Sequence, residues 1–286
     1  MTSANSERAQ DLPTITKRNG KRPLTPEEEI QKRKAYRIAA IFGLLILCFL
    51  FIIMFLYTFD DWVATLIFSL LWIAPGYFAN AGMFAAGRHG KRTVDGGRKW
   101  RDGRPIFGPG KTWRGLLLGP LMYGVPISIG VYLIFFFVYT PLLDFMNAMQ
   151  NFYGVGQSLY KYYTSVDMMA PYFWGCTTAY NIWTVGLPIL ILRTFLVAYG
   201  AALGDLIAAF FKRRLNIGRG QPFWIVDQFD FQLAGVLFGS IPSLIWPTIT
   251  PLHFWPVIVH LFVVTGAIHI IANVIAYRCG LKAVPW

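Results

Sequence analysis

The chain alternates between long apolar runs and short polar intervals. Six runs have the length of a membrane-spanning helix or nearly so: Ile38–Tyr57, Trp62–Ala86, Leu116–Tyr139, Leu187–Phe211, Phe231–Trp246 and Phe254–Tyr277. A hydrocarbon layer ~30 Å thick takes about 20 apolar residues in a helix, and inside it every backbone N–H and C=O must bond within its own segment. The pattern predicts an all-α polytopic membrane protein with six transmembrane helices. The fifth run is the shortest and contains Pro242, so the outer end of that span is the least defined. Ahead of the first run, Thr25-Pro26-Glu27-Glu28 supplies an N-cap, a proline at the first helical position and an acid at the third. A helix is expected to start there and run into the first span. Residues 178–192 are read as a short interfacial or re-entrant helix before the fourth span.

Charge adds direction. Of the 26 Lys and Arg residues, 24 fall in the leading tail, between spans two and three, between spans four and five, or after span six. Positive segments stay cytoplasmic, so both termini are placed inside. The net charge of +12 becomes a basic inner surface, suited to anionic lipid heads and phosphates rather than nucleic acid. With 55% hydrophobic and 14% charged residues, a soluble domain is excluded. Cys48, Cys176 and Cys279 form no evident pair, and no His/Cys cluster has zinc spacing. A transporter is disfavoured because no chain of charges crosses the bilayer.

Acids are scarce, and five of them lie at the inner surface: Asp95, Asp102, Asp205, Asp227 and Asp230. Asp95 and Asp102 belong to the loop 87–115, whose glycines and prolines enforce irregular backbone able to aim amides at an anion. Lys111, Thr112 and Arg114 close that loop just before span three. Asp205 lies about two turns inside the end of span four, where an ionisable group needs a partner or a function. Lys212 follows it by seven residues on nearly one helical face, with Arg213, Arg214 and Arg219 beyond. Asp227 and Asp230 share a face at the start of span five; helix capping explains one or both but leaves Asp205 without a role. A magnesium site made by Asp205, Asp227 and Asp230, with cations neutralising phosphoryl oxygens, accounts for all three. Two GxxxG pairs, Gly115/Gly119 and Gly200/Gly204, allow close helix packing inside the subunit or across a homodimer seam.

Three segments carry a resemblance: LLWIAPGYFANAG (70–82), VDGGRKWRDGRPIFGPGKTWRG (94–115) and GDLIAAFFKRRLNIGRGQPFWIVDQFDF (204–231). Their order and length resemble the CDP-archaeol synthase family, relatives of the phosphatidate cytidylyltransferases, over about Trp62–Tyr277. The resemblance implies a five-span membrane enzyme that joins CTP to a dialkyl glycerophosphate with Mg2+, giving a CDP-lipid and pyrophosphate. Residues 1–37 are then a basic, mostly disordered tail, 38–57 an additional first span, and 62–286 the catalytic membrane domain. Carried over, Asp205, Asp227 and Asp230 hold metal and triphosphate and, with Lys212, form the catalytic set. Asn80, Asp95, Asp102, Lys111, Thr112, Arg114, Arg213, Arg214 and Arg219 are the substrate- and phosphate-binding candidates. Ala209 departs from the pattern, standing where the family has Ser. Alternatives are an ester-lipid cytidylyltransferase and a non-enzymatic lipid-binding or scaffold paralogue. The implied location is the cell membrane with the site facing the cytoplasm.

Overall fold

The computed structural model describes residues 25–56, 59–153, 175–177, 179–218, 221–250, 255–279 and 284–285. Eight α-helices run through them: α1 (Pro26–Leu56), α2 (Phe59–Gly87), α3 (Trp113–Gly119), α4 (Val125–Tyr153), α5 (Leu187–Arg214), α6 (Trp224–Gly239), α7 (Ile241–Ile245) and α8 (Trp255–Arg278). Five segments are long and apolar enough to cross a membrane: Pro26–Ile52, Leu66–Gly87, Trp113–Val138, Ile182–Arg214 and Leu261–Arg278. A sixth apolar stretch, Phe229–Ile245, is shorter. The six-span all-helical reading holds; among the described residues the only extended pairing is two isolated bridges.

Helix ends follow local chemistry. The Thr25 hydroxyl accepts from the Glu28 amide at 3.2 Å while the Glu28 carboxylate accepts from the Thr25 amide at 2.9 Å, a reciprocal capping box that starts α1. The third span is continuous through a π-helical turn, Pro120–Gly124, that joins α3 to α4. A second π-helical turn, Ile182–Gly186, leads into α5, with the Asn181 side chain accepting from the amides of Trp183 and Thr184. Among the described residues of 178–192 no separate interfacial helix forms; Asn181 caps the span directly. The fifth span is cut at Ser240, two residues before Pro242, and continues as the short α7.

α2 lies at the centre and touches α1, α3, α4, α5, α6 and α8. Trp72 and Ile73 of α2, Val197 of α5, Val236 of α6 and Leu261 of α8 form one buried cluster. Outward positions are also apolar: Phe55 is 90% exposed and Phe137 77%, a pattern that suits lipid rather than water as the neighbour.

Both GxxxG pairs are used within the chain. A Cβ on Gly119 would lie 2.6 Å from the Met83 backbone nitrogen, so α3 rests directly on α2. A Cβ on Gly200 would lie 2.9 Å from the Ala234 carbonyl, and one on Gly204 would collide with the Asp230 carbonyl, so α5 and α6 cross backbone to backbone. This crossing brings Asp205 alongside Asp230.

Contacts between helix ends show which of them share one end of the bundle. Gln31 of α1 meets Trp224 of α6, Tyr36 of α1 meets Arg278 of α8, and Lys212 of α5 meets Asp227 of α6. The starts of α1 and α6 and the finishes of α5 and α8 are therefore neighbours. Among the described residues, basic side chains such as Arg213, Arg214 and Arg278 fall at this end.

Candidate active site

Between α2 and α3 the chain makes the loop 88–112, an ordered hairpin. The Val94 amide donates to the Lys111 carbonyl at 2.8 Å and the Trp113 amide to the Arg92 carbonyl at 3.1 Å. Its centre is Asp95, a buried carboxylate that accepts from the amides of Gly97 (3.0 Å), Phe107 (3.1 Å) and Gly108 (2.9 Å). Burial pushes the Asp95 carboxyl up, but those three amides and the Thr93 hydroxyl outweigh it and hold it below its ordinary value. The glycine-rich backbone does aim amides at an anion, and that anion is the loop's own Asp95. Gly108 adopts φ +95°, and a Cβ there would press on the Arg213 guanidinium at 3.1 Å.

Arg213 and Arg214 fasten this hairpin to the end of α5. Arg213 Nε donates to the Phe107 carbonyl at 3.3 Å, and its Nη1 donates to the Ile217 carbonyl at 2.6 Å. Arg214 donates to Asp102 at 2.9 Å and to the Pro105 carbonyl at 2.5 Å, and its guanidinium lies 5.0 Å from the Phe210 ring centre. Arg104 answers by donating to the Arg214 carbonyl at 2.7 Å, satisfying one of the open carbonyls at the helix end. Trp100 and Phe107 flank Phe210 at ring-centre distances of 5.4 and 6.4 Å.

The hairpin's last residues line a cavity of about 230 Å³ between α2, α3 and α5. Asn80, Lys111, Thr112 and Asp205 line its polar part; Met83, Phe84, Leu116 and Leu206 supply apolar lining. Lys111 Nζ lies 2.5 Å from Asp205 Oδ2. Thr112 also caps α3, its hydroxyl accepting from the Gly115 amide at 3.2 Å. Beside the cavity, Lys212 Nζ meets the Asp227 carboxylate at 2.7 Å, and that carboxylate accepts from the Phe223 amide at 2.9 Å. The lysine and carboxylate side chains of these two pairs are 21–27% exposed, so a solute can reach them. Asp230 accepts from the Phe231 amide at 2.6 Å and lies within the electrostatic reach of Asp205, Asp227 and Lys111.

Of the sequence-predicted residues, Asn80, Lys111, Thr112 and Asp205 meet in the cavity, and Lys212, Asp227 and Asp230 adjoin it. Arg114 is exposed on the first turn of α3. Asp95, Asp102, Arg213 and Arg214 are engaged in holding the hairpin. Arg219 lies outside the described residues. Lys212 pairs across helices with Asp227 rather than along α5 with Asp205. Sequence reasoning missed the apolar lining, although Met83 and Phe84 follow Asn80 by three and four positions and so share its face.

Among the described residues, no three or more His, Cys, Asp or Glu side chains converge tightly enough to hold a metal ion. Asp205, Asp227 and Asp230, expected from the sequence to share a metal, are neighbours here but do not form a cage. The donor set still fits Mg2+, which takes one or two carboxylates together with waters and substrate phosphate oxygens rather than an all-protein cage.

The fold and this corner define a helical membrane protein with a cation–carboxylate pocket at one end of its bundle. Comparison narrows the class. A family model described as CarS-like, CDP-archaeol synthase, matches residues 63–159 and 177–286, and the chain belongs to that family. A CDP-archaeol synthase of Thermococcus kodakarensis is 33% identical over 225 residues, 79% of this chain and 99% of that protein. One of Pyrococcus abyssi is 35% identical over 223 residues, 77% and 98% respectively. A solved intramembrane enzyme for archaeal membrane lipids biosynthesis aligns with TM-score 0.42 and 24% identity over 71% of this chain and 91% of that one.

Proposed function

We propose that this chain is a CTP-dependent cytidylyltransferase that converts a dialkyl glycerophosphate and CTP into CDP-archaeol and pyrophosphate. Family membership gives the reaction class, a nucleotidyltransferase of lipid biosynthesis. The observation that carries the site assignment is the Lys111–Asp205 pair facing Asn80 and Thr112 in one accessible cavity at the bundle end.

A lipid phosphate oxygen attacks the α-phosphorus of CTP in line; the bond to the bridging oxygen breaks and pyrophosphate leaves with that electron pair. Lys111 and Lys212 neutralise phosphoryl oxygens, and each is held ready by a carboxylate that can release it to the incoming anion. Asp205 and Asp230, with Asp227, are the oxygen donors that would hold Mg2+. The ion's contribution when bound is to offset charge on the triphosphate. Thr112 and Asn80 present neutral polar groups to the ligand. The apolar lining beside them suits a substrate whose phosphate sits at the membrane boundary and whose chains stay in lipid. The basic segments, among the described residues, crowd this same end, which supports a cytoplasmic site where CTP is available.

The test is direct. Purified chain in lipid nanodiscs receives labelled CTP, Mg2+ and a panel of ether- and ester-linked lipid phosphates, followed by lipid extraction. Labelled CDP-lipid from the ether acceptor is expected. Product from ester acceptors alone would make it a phosphatidate cytidylyltransferase, and no product from any acceptor would leave a lipid-binding scaffold.

A further inference from the structure

Helix α1 precedes the residues matched by the family model, yet it reaches the helix that carries two of the three candidate carboxylates. At its first turns, Gln31 Oε1 accepts from the Trp224 indole Nε1 at 3.1 Å. Trp224 is the first residue of α6. Further along, the Phe42 ring lies 5.9 Å from that of Phe229, which in turn lies 6.1 Å from Phe262 of α8. Gly266 of α8 makes the room: a Cβ there would come within 2.9 Å of Phe42 and 3.0 Å of Phe229. Arg278, 5.1 Å from the Tyr36 ring centre, ties α1 to the end of α8.

The start of α6 needs such support. Its N-cap, Phe223, offers no side-chain hydrogen bond to the first turn. Asp227 is shared between the Phe223 amide and Lys212. A helix end secured by a group that must also serve a ligand opens more readily. The two α1 contacts, at Trp224 and Phe229, bracket Asp227 in sequence.

We propose that α1 is a brace that positions the first two turns of α6, with Gln31 and Phe42 acting as positioning residues for Asp227 and Asp230. Its effect on turnover rests on the cytidylyltransferase reading; its effect on α6 does not. The full chain in nanodiscs is compared with Gln31→Leu, Gln31→Glu, Trp224→Phe and the Gln31→Leu/Trp224→Phe double variant. Two readouts are taken: kcat and KM for CTP and lipid phosphate, and hydrogen–deuterium exchange of amides 224–230.

Gln31→Leu and Trp224→Phe are each expected to lower kcat about three- to tenfold, the weight of one hydrogen bond, with KM for the lipid unchanged. The double variant should be no worse than either single one, because both remove the same contact. Gln31→Glu keeps an acceptor oxygen and should retain turnover. Amides 224–230 should exchange faster in both single variants. Unchanged exchange with wild-type kcat overturns the brace, as does a Gln31→Glu variant as impaired as Gln31→Leu, or additive losses in the double variant. If Gln31→Leu does not fold, Trp224→Phe carries the same comparison. If wild-type protein makes no CDP-lipid while exchange still responds, the brace stands and the functional reading falls.

Discussion

The α5–α6 corner and the hairpin 88–112 are both crowded with opposite charges, and they use them differently. Where the hairpin is built and fastened to α5, the charged groups meet backbone: Asp95 takes three amides, Arg213 two carbonyls, and Arg214 a carbonyl as well as Asp102. In the corner, Asp205 meets one partner among the described residues, Lys111, reaching in from another element. A carboxylate saturated by amides is fixed in place and has little left to offer a ligand. A carboxylate held by one flexible lysine can exchange that lysine for a phosphate-bound cation. Charge density alone does not mark a site; the kind of partner does.

The largest effects are expected in the corner. Asp205→Asn and Asp227→Asn should each cut turnover about a hundredfold or more, because a group that orders charge around a phosphoryl transfer contributes several kcal/mol and ~1.4 kcal/mol is tenfold. Asparagine is the informative replacement at Asp227, since its oxygen still accepts the Phe223 amide. Assay of labelled CDP-lipid on folded variants decides the matter. A silent Asp227→Asn would reduce that residue to a helix brace, and a silent Asp205→Asn as well would erase the contrast between the two regions.

Asp95→Asn should act on stability, not on chemistry. One carboxylate oxygen becomes an amide nitrogen facing donors, so at least one buried N–H loses its acceptor, at roughly 1–3 kcal/mol. The sign with pH is fixed by the lowered native value. A carboxyl that titrates lower folded than unfolded stabilises the fold above its ordinary value, near 3.8, and that contribution fades as pH falls through the native value. Melting curves of wild type and variant should differ most near neutrality and converge in the acid range. A constant gap from neutral pH to the acid range would show that Asp95 is not the charged hub of the hairpin.

Much of this was legible beforehand, for physical reasons. Apolar runs had to become helices because lipid leaves the backbone no other partner, and the Thr25–Glu28 capping box lies in a four-residue pattern. Asp205 stood out because an ionisable group beside apolar spans is costly. The partners were not legible. Spacing within α5 pointed to Asp205 with Lys212, but the crossing at Gly204 and the fold of the hairpin give Asp205 to Lys111 and Lys212 to Asp227. The π-helical turns at Pro120–Gly124 and Ile182–Gly186 leave the hydrophobic pattern intact and so leave no trace in it. The contact of Gln31 with Trp224 joins residues far apart in sequence, which no local pattern reports.

The smallest effect is expected at Asp102, and it sharpens the comparison from the other side. Asp102 is exposed; it accepts from the Arg104 amide at 3.1 Å and from Arg214 at 2.9 Å. Asparagine retains an oxygen for the amide and loses only the ion pair. Exposed pairs contribute about 0–1 kcal/mol and are screened by salt. Arg214 also keeps its bond to the Pro105 carbonyl and its stacking on Phe210, so the hairpin remains fastened without Asp102. The variant should melt within a few degrees of wild type, less so at high salt, with kcat and KM unchanged. If Asp102→Asn instead cost turnover as heavily as Asp205→Asn in a protein of wild-type stability, the hairpin's carboxylates would belong to the reaction. The division between a region that holds shape and a region that handles substrate would then be wrong.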